Sequence, residues 1–107
     1  MKWVIDPLDG TTNFIHGVPC FAVSIGLLRG KEPLIGVIYE INQDEMFTGW
    51  KNGGAYLNGE RIHVSETPTV AGSLLGTGFP YYDYQLLDKY LDLFKHLMQH
   101  SRGLRRP

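Results

Sequence analysis

The feature that most constrains the fold is an alternation of short apolar segments with polar turns through the first two thirds of the chain. Residues 20–28, 33–39 and 46–50 are rich in β-branched and aromatic side chains, and the polar stretches 29–31 and 42–45 separate them. Segments of this length between turn residues are typical of strands joined by hairpins. The pattern therefore predicts an antiparallel meander.

Two Asn-Gly dipeptides extend this meander. Residues 52–53 and 58–59 are turn pairs that tolerate the positive φ angles of tight hairpins. The short segments that follow them, residues 55–57 and 61–64, are therefore predicted to add strands to the same sheet.

The periodicity changes in the last third of the chain. Residues 73–77 (SLLGT) predict one more buried strand, and a single amphipathic helix is then predicted over residues 84–100, with Asp83 as its N-cap and Gly103 as its C-terminal stop. The helix rests on apolar side chains at three- and four-residue spacing: Leu87, Tyr90, Leu91, Phe94, Leu97 and Met98. The predicted fold class is α+β, largely an antiparallel meander plus one amphipathic helix.

Composition narrows the classes of function. A chain of 107 residues, 43% hydrophobic and 20% charged, is predicted to form one globular domain. Ten basic and eleven acidic residues leave no general field for nucleic acid or an anionic membrane, so neither is expected as a partner. Cys20 is the only cysteine, which excludes an internal disulfide. Without a long apolar run or a signal-peptide pattern, we expect a cytoplasmic protein.

Residues with side chains suited to catalysis or ligand binding cluster near the beginning of the sequence. Residues 4–5 favour a strand, and Pro7, which has no N–H and a fixed φ, is predicted to end it near Asp6. Gly10 permits an unusual backbone angle, and Thr11 or Thr12 is predicted to cap a short helical turn. Amide groups at the start of such a turn suit an anion such as phosphate.

Two carboxylates in the same segment indicate a metal. Asp6 and Asp9 would repel a phosphate unless divalent cations bridge acid and phosphate, neutralise both and polarise the phosphorus for attack by hydroxide. Ligands that are all oxygen favour Mg²⁺. The segment therefore predicts a magnesium site that acts on a small phosphorylated substrate.

Other interpretations of these residues are also possible. An Asp-Gly turn is often only structural, whereas an EF-hand is excluded because Leu8, Gly10 and Gly17 stand where its loop needs oxygen ligands.

Elsewhere, His96 and His100 lie one helical turn apart, but they share the polar side of the predicted helix and are expected to be solvated. Cys20 with nearby His16 could suggest a thiol nucleophile, yet Cys20 begins an apolar segment and is predicted to be a small core residue.

The motifs resemble those of a known family. Residues 3–14 (WVIDPLDGTTNF) resemble the first signature of the inositol monophosphatases, which are magnesium-dependent, lithium-sensitive phosphatases of small phosphate monoesters. Residues 21–26 (FAVSIG), 54–59 (GAYLNG) and 75–80 (LGTGFP) resemble the bacterial members, so the similarity covers nearly the whole chain. It implies a layered sheet-and-helix sandwich and a homodimer in the full-length form.

The resemblance also assigns roles to individual residues. It implies that Asp6 bridges two metal sites and that the backbone carbonyl of Leu8 is a ligand of the first. Asp9 would serve the second metal and contact the substrate, while Gly10 and Thr11 would present N–H groups to the phosphate. The Thr11 hydroxyl would help to position the attacking water.

Some motifs that the resemblance implies are missing from the sequence. Members of the family are more than twice as long, with an upstream Gly-Glu-Glu segment and aspartate and a downstream Trp-Asp signature that complete the site. We therefore expect residues 1–107 to be the central part of a single phosphatase domain, without its N-terminal and C-terminal portions. The expected function is magnesium-dependent hydrolysis of inositol 1-phosphate to inositol and phosphate. The alternative is a truncated, non-catalytic chain that acts as an interaction module or has no function.

Overall fold

A computed structural model describes residues 1–79 and 84–106. Its elements form two compact units, Met1–Val64 and Ser65–Pro107. The predicted N-cap Asp83 lies outside the described residues. Within the two described ranges, no helix is both long enough and apolar enough to cross a membrane.

The first unit is a six-stranded antiparallel sheet whose strands lie side by side in chain order. The strands are β1 (Lys2–Asp9), β2 (Ala22–Arg29), β3 (Glu32–Glu40), β4 (Glu45–Trp50), β5 (Gly54–Leu57) and β6 (Glu60–Ile62), and the short helix α1 (Thr11–Ile15) lies between β1 and β2. The predicted meander is therefore confirmed, because each of the segments 20–28, 33–39, 46–50, 55–57 and 61–64 overlaps one of these strands.

The asparagines of both Asn-Gly turns have the predicted positive φ, and so does Gly59, whereas Gly53 does not. Asn52 and Asn58 adopt positive φ angles of 62° and 49°. The Asn58 side chain also stabilises its surroundings, because its Oδ1 accepts from the Met46 N–H at 2.8 Å and its Nδ2 donates to the Asp44 carbonyl at 3.1 Å. This turn thus has both the backbone freedom and the side-chain bonds that asparagine supplies.

Side-chain hydrogen bonds also define the connection between β3 and β4. Tyr39 Oη donates to Asp44 Oδ1 at 2.7 Å, and this bond raises the pKa of the Tyr39 phenol. The Glu40 carboxylate accepts from Asn42 Nδ2 and from the Gln43 N–H, each at 2.7 Å. Both bonds favour the ionised acid, the one from Asn42 most, so the pKa of Glu40 is lowered.

The first strand continues past Pro7, so the predicted strand end near Asp6 is wrong. β1 runs to Asp9, and its register with β2 shifts between Asp6 and Asp9. Because β1 is an edge strand and its ladder is interrupted at this point, the missing N–H of Pro7 is tolerated.

The apolar faces of the sheet are open. None of the described residues is fully buried, and Trp3, Ile5 and Ile38 are 59%, 58% and 47% exposed. Cys20, predicted to be a small core residue, is exposed and has a φ of 95°. That prediction was wrong because Cys20 lies in the loop before β2 and not on the strand itself.

The second unit combines one helix with a small parallel sheet. Its elements are a 3₁₀ turn (Val70–Gly72), β7 (Leu74–Gly76), α2 (Leu87–His100) and β8 (Gly103–Arg105), and β7 pairs with β8 in parallel. The strand within residues 73–77 and the amphipathic helix are confirmed, although α2 begins at Leu87 and not at residue 84. The prediction that this strand is buried was wrong, because β7 lies in a two-stranded sheet and Leu74 is 61% exposed.

The end of α2 differs from the prediction in its cap. Ser101 is the C-cap, and its Oγ donates to the Leu97 carbonyl at 2.6 Å. Gly103, the predicted stop, begins β8, a strand that was not predicted because three residues carry too little periodicity.

Candidate active site

The interruption of the β1–β2 ladder determines where the two acidic side chains lie. Asp6 is opposite Ser24 and Asp9 is opposite Ala22, so three positions on β1 span two on β2. β1 therefore carries one extra residue, which is a β-bulge. Partners on adjacent strands share a face, and Ser24 and Ala22 lie on the same face of β2. The bulge therefore brings both carboxylates toward one side of the sheet.

Within the bulge, side chains replace the missing ladder bonds. The Leu8 N–H donates to Asp6 Oδ1 at 3.2 Å. The Thr11 hydroxyl donates to the Leu8 carbonyl at 2.8 Å. A carbonyl oxygen has two lone pairs, so this bond leaves the Leu8 oxygen able to accept a second partner. Three of the predicted site residues are thus joined by two hydrogen bonds.

Gly10, not a threonine, caps the short helix. It is the N-cap of α1 with φ 84° and ψ 31°, and no side-chain cap bond is present. The prediction that Thr11 or Thr12 caps this turn was wrong, because Thr11 uses its hydroxyl on the Leu8 carbonyl. A Cβ on Gly10 would lie 2.7 Å from the Cys20 carbonyl oxygen, so glycine is required here for space as well as for φ.

Asn13 and Phe14 connect the turn to the start of β2, a role that sequence reasoning missed. Asn13 Nδ2 donates to the Cys20 carbonyl at 2.9 Å. The Phe14 ring meets Phe21 edge to face, with centroids 5.2 Å apart. Asn13 belongs to the signature segment, but nothing in its spacing indicated a partner seven residues away.

The predicted site residues thus lie at the end of β1 and at the start of α1. Asp6, Leu8, Asp9, Gly10 and Thr11 are consecutive or nearly so, and the carboxylates and Thr11 are exposed. Their donors are all oxygen, the chemistry that Mg²⁺ prefers. Two carboxylates and one carbonyl supply three of the six ligands of one such ion, which usually keeps several waters. The described residues contain no cluster of three or more His, Cys, Asp or Glu side chains suited to a metal.

The two histidines of α2 contact each other. His96 and His100 are exposed, their rings stack with centroids 4.2 Å apart, and His100 Nδ1 contacts the His96 carbonyl at 2.7 Å. Their expected solvation is confirmed.

Comparison with known proteins finds relatives that match nearly the whole chain, including the segment of the candidate site. Residues 1–106 match the sequence model of the Inositol monophosphatase family. Nus factor SuhB of Pseudomonas aeruginosa is 51% identical over 97% of this chain and 39% of its own length. The fructose-1,6-bisphosphatase/inositol-1-monophosphatase of Aquifex aeolicus is 42% identical over 99% of this chain and 40% of its own.

Solved structures share the fold. An inositol monophosphatase from Anabaena superposes with a TM-score of 0.87 and 47% identity, over 97% of this chain and 43% of that one. The chain therefore spans about two fifths of the length of the proteins it matches.

Proposed function

Because the chain belongs to the inositol monophosphatase family, which is a family of phosphatases, we propose that it carries one part of a magnesium-dependent site that hydrolyses a small phosphate monoester. Inositol 1-phosphate is the first substrate to test. The observation that carries the proposal is the bulge in β1, which brings Asp6 and Asp9 to one side beside the Leu8 carbonyl and Thr11.

In this proposal, two Mg²⁺ ions would be held by the Asp6 carboxylate, the Leu8 carbonyl and the Asp9 carboxylate. When bound, such ions neutralise the phosphate and lower the pKa of a water molecule. The Thr11 hydroxyl donates its hydrogen bond to the Leu8 carbonyl, so its oxygen lone pairs remain free to accept a hydrogen bond from the attacking water. Asp9 also contacts the substrate, and the N–H groups of Gly10 and Thr11 face the phosphate.

The wider context of the site is part of the proposal. Residues 1–107 form the central part of one phosphatase domain, which is a cytoplasmic homodimer in its full-length form. Two observations support this part of the proposal. The chain spans about two fifths of the length of its relatives. Exposed side chains such as Trp3 and Ile5 leave apolar surface that further residues would cover. The substrate class is open to variation, since the Aquifex relative is named for both fructose 1,6-bisphosphate and inositol 1-phosphate.

The test uses two proteins. The 107-residue chain alone should release no phosphate from inositol 1-phosphate in Mg²⁺ above the level of its Asp6→Asn variant, because it supplies too few metal ligands. A hybrid, in which residues 1–106 replace the matching segment of the Anabaena inositol monophosphatase, should be active. Thr11→Ala in the hybrid should lower kcat by about 100-fold or more, whereas Thr12→Ala on the same helix should change it little.

Two results would contradict the proposal. One is magnesium-dependent turnover by the isolated chain clearly above its Asp6→Asn control. The other is a folded hybrid that remains inactive while the unaltered Anabaena protein turns over the same substrate. A panel of sugar phosphates, nucleotides and inositol phosphates would then show which substrates the active hybrid accepts.

A non-catalytic binding role is the second candidate, because the Pseudomonas aeruginosa relative is named as a Nus factor. A hybrid with that protein, carrying Asp9→Asn, should then restore a strain that lacks it as well as the unaltered hybrid does. Loss of restoration in Asp9→Asn would favour the phosphatase.

A further inference from the structure

The Asn13 side chain forms a bond that connects the candidate site to the second strand. Its Nδ2 donates to the Cys20 carbonyl at 2.9 Å, and its own backbone carbonyl accepts from the Val18 N–H at 2.9 Å. Asn13 therefore contacts the loop between α1 and β2 at two points. Its side-chain bond reaches the last part of that loop, next to Phe21.

The Cys20 carbonyl is held against the turn from two sides. Asn13 donates to it, and the Gly10 backbone lies so close that a Cβ there would come within 2.7 Å of the oxygen. Cys20 has a φ of 95°, which is unusual for a residue other than glycine. Such outliers persist where surrounding contacts hold them and are often found near functional sites. Here the residue with the unusual φ is also the one whose carbonyl meets Gly10 and Asn13.

The β1–β2 ladder pairs Asp9 with Ala22 and so places the end of β1. Beyond Asp9, the other hydrogen bonds of the turn fix its shape but not its place. Thr11 to Leu8 and the Phe14 N–H to the Gly10 carbonyl, at 3.0 Å, are both internal to the turn. The Phe14–Phe21 contact is apolar and sets no direction as a hydrogen bond does. Among the contacts beyond Asp9, the Asn13 bond is the directional one that connects the turn to the beginning of β2.

We propose that Asn13 is a positioning residue, which acts through the Cys20 carbonyl to hold the amides of Gly10 and Thr11 and the Thr11 hydroxyl where phosphate and water are bound. This inference rests on the proposed phosphatase function. The position of reacting groups matters because a shift of about 1 Å can lower a rate by about 100-fold.

The first experiment needs no activity. In the 107-residue chain, Asn13→Ala should shift the amide resonances of Gly10 and Thr11 in ¹⁵N-correlated NMR spectra. The matched control is Asn42→Ala, which also removes a side-chain donor from the first unit but whose partner is Glu40; it should leave those two resonances unchanged. Unchanged Gly10 and Thr11 signals in folded Asn13→Ala would overturn the inference.

The second experiment measures kinetics in the Anabaena hybrid. Asn13→Ala should lower kcat by about 10- to 100-fold and change KM less than kcat, while thermal stability stays close to that of Asn42→Ala. Asn13→Asp has the same shape but cannot donate to a carbonyl when ionised, so it should not restore kcat. Equal kcat in Asn13→Ala and Asn42→Ala would overturn the positioning role. An inactive hybrid with shifted Gly10 and Thr11 signals would leave the Asn13 contact established and refute the phosphatase proposal instead.

Discussion

Gly10 satisfies two structural requirements that an alanine would violate together. Its φ of 84° lies in the left-handed region, and an added Cβ would come within 2.7 Å of the Cys20 carbonyl oxygen and 3.2 Å of the Phe21 Cα. Both neighbours are backbone atoms, which cannot rotate away as a side chain would. Gly10→Ala should therefore force the turn away from the start of β2.

The expected loss of stability can be estimated from these two effects. A left-handed conformation costs an L-residue about 1–2 kcal/mol, and overpacking against fixed atoms adds about 1–3 kcal/mol. We expect Gly10→Ala to lower the free energy of unfolding by about 2–5 kcal/mol. Because single domains are stable by only about 5–15 kcal/mol, this loss should be readily measured.

Two other glycines of the same unit separate the effects. Gly17 has a φ of 66° and a Cβ added there would meet no atom within 4 Å, so Gly17→Ala should show the left-handed cost alone, about 1–2 kcal/mol. Gly36 has neither constraint, and Gly36→Ala should change stability by no more than about 1 kcal/mol. Urea unfolding followed by tryptophan fluorescence and by far-UV circular dichroism measures all three variants.

The relative losses of unfolding free energy in the three variants test the close contact at Gly10. A Gly10→Ala protein that is already unfolded without urea, while Gly17→Ala remains folded, agrees with the estimate. If Gly10→Ala and Gly17→Ala lose the same free energy of unfolding, the close approach of the Cys20 carbonyl to Gly10 is refuted.

Three further predictions concern activity, a turn and pH. In the Anabaena hybrid, Asp9→Asn should lower kcat severely, by about 100-fold or more, whereas Asp44→Asn, an acid of the same unit outside the site, should leave kcat within about twofold; equal losses would argue against a special role for Asp9. Asn58→Ala should lower the free energy of unfolding by about 1–3 kcal/mol, because it removes two side-chain bonds and leaves an alanine at positive φ, and urea unfolding measures this. The pKa of Glu40 is lowered in the folded state, so its contribution to stability is present above the pKa of the unfolded chain and is lost as the pH falls through the folded pKa; NMR titration should show that Asn42→Ala raises the pKa of Glu40, and an unchanged value would contradict the assigned cause.

The sequence was sufficient for elements whose signal is local. The meander follows from short β-branched segments and from Asn52 and Asn58, whose side chains tolerate positive φ. The amphipathic helix follows from apolar spacing, which also predicted its end at His100 correctly. In each case the information lies within a few residues of the feature, so local chemistry decides the conformation.

Predictions failed where a distant partner decides the structure. β8 exists because it pairs with β7, nearly thirty positions earlier in the chain. Cys20 was predicted to be a core residue because it begins an apolar segment. In the structure its side chain is exposed, and its backbone carbonyl contacts Asn13 and Gly10. Thr11 has the chemistry of a helix cap, yet the Leu8 carbonyl competes for its hydroxyl and Gly10 takes the cap position. None of these choices can be made from neighbours in sequence alone.

The candidate site shows how a local motif depends on a non-local register. Asp6 and Asp9 are separated by an odd number of positions, so in a regular strand their side chains would point to opposite faces. The extra residue of the β1 bulge corrects this, because the partners of the two acids are Ser24 and Ala22, which share a face. Pro7 helps to interrupt the ladder, and the Leu8 N–H turns to Asp6 Oδ1. The two carboxylates therefore lie on the same side only when β2 pairs with β1 and defines the bulge. The motif supplies the side chains of the site, and the pairing of the two strands determines their arrangement.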